Sequence, residues 1–104
     1  METGRKIEIL RRAVAAFGPV QQTDMMIEEM SELTKALCKY RRAVSGGADE
    51  TELSVKNDQI LEELADVQIM VHQMVLIYGS FEAQEAYKLE RLERRLDERK
   101  AAEA

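Results

Sequence analysis

Tryptophan is absent from this chain, and the other aromatics are few: three Tyr and two Phe. A site that works by stacking aromatic rings has little material here. The single cysteine, Cys38, excludes an intramolecular disulfide and a cysteine-based zinc site. A reducing, cytoplasmic compartment is expected. One Pro and five Gly in 104 residues leave few helix breakers. No stretch approaches the ~20 consecutive apolar residues of a membrane span, so no membrane partner is expected. The opening "METGRKIEIL" has no apolar core before a small-residue cleavage site, so no secretory leader is expected in it. Positive charge is also in deficit. Fifteen Lys and Arg against twenty Asp and Glu give a net charge of -5, which disfavours nucleic-acid binding through phosphate attraction.

What is present is 45% hydrophobic and 34% charged residues, the balance of a folded helical protein and not of a disordered one. The length suits one domain, residues 1–104. Four helical segments follow from the spacing of apolar residues. The first, about 5–17, carries Ile7, Leu10, Val14 and Phe17 on one face and stops at Gly18 and Pro19. The second, about 24–44, starts at a Thr23 or Asp24 cap and ends at "SGG". The stretch "GGADETELSVKN" reads as a polar loop with at most a short turn. The third, about 58–78, is capped by Asn57 or Asp58 and stopped by Gly79. Ser80 caps the fourth, about 81–101. Apolar residues nearly encircle the third segment, which in so small a chain implies a partner subunit. The expected class is an all-α four-helix bundle completed by oligomerisation.

The second and third segments share a phrase. "MIEEMSEL" from Met26 returns as "ILEELADV" from Ile60, and Asp24 matches Asp58. A tetratricopeptide array has repeats of this length, but the match covers only about ten residues and that repeat's aromatic and small-residue signature is missing. The phrase reads instead as two half-sites. At 100° per residue, Glu29 and Glu32 share a helix face bordering the apolar stripe of Met26, Met30, Leu33 and Leu37. Glu63 and Asp66 stand in the same relation on the third segment. Carboxylates bordering faces that should pack are costly to desolvate unless a cation compensates. Four hard oxygen donors on neighbouring helices suit Mg²⁺, with Mn²⁺ as the other candidate. A di-iron bundle needs Glu-x-x-His motifs, and His72, the one histidine, lies in none. His72 points away from Glu63 and Cys38 away from Glu29, so His72 is expected at an interface or the surface and Cys38 at a buried or interface position.

These residues resemble a known signature. "EEMSEL" followed by "EELADV" is similar to the E-E-x-x-E … E-x-x-D pattern of the MazG-like, all-α nucleoside triphosphate pyrophosphohydrolases, over segments two to four. The resemblance implies cleavage of a (deoxy)nucleoside triphosphate to the monophosphate and pyrophosphate. It implies Glu29, Glu32, Glu63 and Asp66 as Mg²⁺ ligands and as the catalytic set, with Glu28 and Glu62 in support. It also implies basic residues of the last helix at the phosphates. Lys88 and Arg95 match best, with Arg91 between them on the same stripe. Lys39 and Tyr40 are expected to line the nucleotide pocket, and a homo-oligomer, dimer or tetramer, is expected. Two alternatives stand beside this: a same-fold enzyme selective for phosphoribosyl-ATP, dUTP or dCTP, and a noncatalytic helical interaction module whose acids pair with the fourth segment. A chorismate mutase is disfavoured, because the doubled feature here is acidic and not basic.

Overall fold

A single glycine separates the first two helices. In the computed structural model, which describes residues 1–104, α1 spans Thr3–Phe17 and α2 spans Pro19–Ser45. Gly18 joins them at φ 87°, a left-handed conformation that glycine adopts without the Cβ penalty of other residues. Its N–H closes α1 on the Val14 carbonyl at 2.9 Å. Pro19 then opens α2 at the first helical position, where its missing N–H is no loss and its fixed φ is already helical. α2 therefore begins at Pro19 and not near Asp24. Thr23 lies inside the helix and is no cap. Its hydroxyl donates to the Pro19 carbonyl at 2.8 Å and meets the Tyr78 hydroxyl at 2.6 Å.

The polar stretch after α2 is also shorter as a loop than its composition suggests. α3 spans Glu50–Tyr78, so the connection is only Gly46 to Asp49. Asp49 is the cap, its carboxylate accepting from the Glu52 N–H at 2.9 Å. Glu50 and Glu52 follow in the first turn, where the helix dipole favours negative charge. Asn57 and Asp58 are consequently interior to α3. Gly79, at φ 109°, ends α3 as expected. α4 spans Glu82–Glu103, and the Ser80 hydroxyl accepts from the Glu82 N–H at 3.2 Å.

α2 and α3 form an antiparallel hairpin, and α1 packs across it, chiefly on α3. α4 packs on none of the other three. The single chain is thus a three-helix body with a projecting fourth helix, and not a closed four-helix bundle. Its interior is slight. Leu10, Ala36 and Met70 are the buried apolar residues, and Gln22 and Gln73 the buried polar ones. The two glutamines bond to each other at 2.6 Å, and Gln73 also donates to the Met70 Sδ at 3.6 Å. No helix is long and apolar enough to cross a membrane.

Candidate functional site

The α2–α3 hairpin keeps one register along its length. Each step of seven residues up α2 is matched by a step of seven down α3, as two helical turns require when helices stay in contact. Gln22 meets Gln73 through their hydrogen bond. Seven further on, Glu29 meets Asp66 across the groove. Beyond these, Ala36 and Gln59 line one cleft, and Ala43 and Glu52 line the next. Between these positions, Glu32 and Glu63 line the first of these clefts together, and Lys39 and Lys56 the next.

That register places acid opposite acid twice in succession. Carboxylate oxygens of Glu29, Glu63 and Asp66 lie within 4.8 Å of one another. Glu29 and Glu63 are half-buried and Asp66 is exposed. None of the three has a Lys, Arg or His partner within ion-pair distance. The Glu29 carboxyl is raised above its ordinary range, first by desolvation and then by repulsion from Asp66, Glu63, Glu28 and Glu32. Three convergent oxygen donors, with no nitrogen or sulfur among them, fit a hard divalent cation better than a soft one.

Glu32 stands beside this trio and not within it. Its carboxylate is 3.8 Å from Lys35 Nζ, one turn along α2. It lines a cleft of about 250 Å³ with Glu63, Glu62, Gln59, Lys35, Ala36 and Lys39. Ala36 is the buried small residue that lets the two helices approach at this point. Glu62 is exposed on the cleft's rim. Glu28 is exposed, and its charge acts on Glu29 without joining the cluster.

The remaining expected site residues are dispersed. Lys39 lines the cleft, whereas the half-buried Tyr40 lines neither this cleft nor the next one along the hairpin. Lys88, Arg91 and Arg95 lie on α4, which contacts neither α2 nor α3, so one chain does not bring them to the acids. Cys38 is exposed and not buried within the chain. His72 is half-buried, and its Nε2 is enclosed without a hydrogen-bond partner. Lys35, Arg42, Lys56 and Gln59 were not anticipated. The first two were legible, because Glu32, Lys35, Lys39 and Arg42 recur at three, seven and ten residues along one face. Lys56, in the same concavity as Lys39, emerges only once α3 is known to begin at Glu50. Comparison of the chain with protein-family models, curated proteins and solved structures finds no match.

Proposed function

We propose that the chain is a Mg²⁺-dependent nucleoside triphosphate pyrophosphohydrolase of the MazG-like kind, cleaving a (d)NTP to the (d)NMP and pyrophosphate. The observation that carries this reading is the convergence of Glu29 from one E-x-x-E motif with Glu63 and Asp66 from the E-x-x-D motif on the facing helix. These three, with Glu32 on the cleft side, are the residues that would hold the ion. Mg²⁺ bound there would offset phosphate charge and make a coordinated water more acidic. The chain's own contribution is positional. The hairpin holds the acids on two rigid helices, and the cleft beside them accommodates a substrate group between Glu62 and Lys39.

The cations expected at the phosphates, Lys88, Arg91 and Arg95, reach the acids in this reading only from another copy of the chain. The homo-oligomer, dimer or tetramer, therefore belongs to the proposal. Its support is the apolar surface the single chain leaves uncovered: Ile27 is 58% and Leu61 56% exposed on the hairpin, and Leu89, Leu92 and Leu96 are exposed on α4.

The test is a pyrophosphate-release screen over the common NTPs and dNTPs, with Mg²⁺, Mn²⁺ and EDTA arms. Turnover in the metal arms is expected, with loss of about a hundredfold or more in Glu63→Gln, the cost expected when a group stabilising transition-state charge is removed. The nucleotide profile separates a broad enzyme from one confined to dUTP or dCTP, and phosphoribosyl-ATP is added as a further substrate. Absence of turnover on every substrate sinks the proposal and leaves the interaction module.

A further inference from the structure

Beyond the acidic cluster the hairpin groove reverses sign. Lys39, Arg42 and Lys56 converge with Ala43, Gly46, Ala48 and Glu52 on an open concavity of about 410 Å³ at the closed end of the hairpin. Lys39 on α2 and Lys56 on α3 therefore line one concavity from its two walls, a gathering of like charge that an anion there would relieve.

No ion pair within the chain neutralises these cations. None of the three cations has an ion-pair partner, and Glu52, the one carboxylate lining the concavity, forms no salt bridge with any of them. Arg42 lies in the last turn of α2, where a cation offsets the helix dipole. Its side chain makes a single hydrogen bond, from Nε to the Cys38 carbonyl at 3.4 Å. Its four other N–H donors are free to meet oxygens of a ligand. Three cations left unneutralised in one concavity are notable in a chain whose net charge is -5.

We infer that this concavity is a phosphate-binding subsite, built by Lys39, Arg42 and Lys56, for a small oligophosphate or phosphate ester. Arg42 supplies the planar donor fork that suits phosphate oxygens, and the two lysines supply point charge from either side. Lys39 lines both this concavity and the cleft beside the acids. An acidic cleft and a basic concavity thus share one lysine, with Glu32 and Lys39 about 11 Å apart along α2. The subsite does not depend on metal at the acidic end, so it is separable from the pyrophosphohydrolase reading.

The experiment is calorimetric titration of the full chain with inorganic tripolyphosphate in EDTA at low salt. Saturable binding is expected. Lys56→Gln and Arg42→Gln should each weaken it by about tenfold, the worth of one charge-assisted hydrogen bond. Lys100→Gln, an exposed cation on α4, and Glu63→Gln should retain it. A second readout is independent of affinity: Lys56→Gln should not lower the thermal midpoint of the ligand-free chain, and tripolyphosphate should raise that midpoint in wild type but hardly in the variant. The inference is overturned by no saturable binding in EDTA, by Lys100→Gln weakening it as much as Lys56→Gln, or by a lower ligand-free midpoint for Lys56→Gln. Tighter binding of a short single-stranded oligonucleotide than of tripolyphosphate would overturn it in favour of a nucleic-acid surface. A failed pyrophosphate-release screen leaves it standing.

Discussion

Glu29 sits half-buried among carboxylates with no cation in reach, and its carboxyl is raised above the ordinary 4.5. The folded chain therefore holds this proton more tightly than the unfolded chain does. The group's contribution to stability is present below about pH 4.5 and is lost as pH rises through the raised value. Glu29→Gln should accordingly stabilise the metal-free protein at pH 7 by up to about 1 kcal/mol, a modest figure because the cluster is partly exposed and screened. Urea unfolding in EDTA measures it, and the gain should vanish below pH 4. A destabilised variant at pH 7 would mean that Glu29 is engaged and not repelled. The positions of Glu29, Glu63 and Asp66 were legible in the sequence, since a repeated E-x-x-[ED] spacing fixes a face whatever the helix packs against. That Glu32 stands outside the trio was not legible. It depends on Lys35, and one turn of helix offers a carboxylate several competing neighbours.

The start of α3 shows why helix ends are harder to read than helix faces. "GGADETELSVKN" is polar enough to pass for a loop, and Asn57 and Asp58 look like caps. Asp49 is as good a cap and comes first, with Glu50 and Glu52 placed to favour the helix dipole and Leu53 half-buried. The extra two turns carry Lys56 into the concavity it shares with Lys39. Removing the cap with Asp49→Ala should cost about 1 kcal/mol. The loss should be local. Amide exchange should quicken over Glu50 to Lys56 while that of Met70 and Gln73 changes little, and a uniform change along α3 would contradict the cap's role. The start of α2 at Pro19, ahead of the expected Asp24, has a related reason. A proline reads as a stop unless it is seen as the first residue of the next helix, as Pro19 is.

The whole chain is extended for its length. Its radius of gyration is 18.2 Å, against about 13 Å for a compact domain of this size. The difference reflects α4, which projects without a neighbour and exposes Tyr87, Leu89, Leu92 and Leu96. The proposed assembly predicts that the chain sediments at micromolar concentration as a multiple of 11.9 kDa. The double substitution Leu89→Asp and Leu92→Asp should release monomers without loss of helix in α1–α3, because α4 touches none of them. A monomeric wild type would refute the assembly. All-helical character was visible in apolar spacing, and the pairing of the second and third helices in their repeated acidic phrase. The detachment of α4 was not, because an apolar stripe records that a face is covered and not by which chain. The buried Gln22–Gln73 bond bears on how this chain avoids misassembly. Two hydrophobic helices can slide past each other by a turn, about 5.4 Å, with little change in apolar contact. Here such a slide would strand two amides in the interior at about 1–3 kcal/mol each. The glutamine pair is therefore a checkpoint against mispaired hairpins: it penalises a shifted hairpin before any ligand arrives, and so keeps Glu29 beside Asp66.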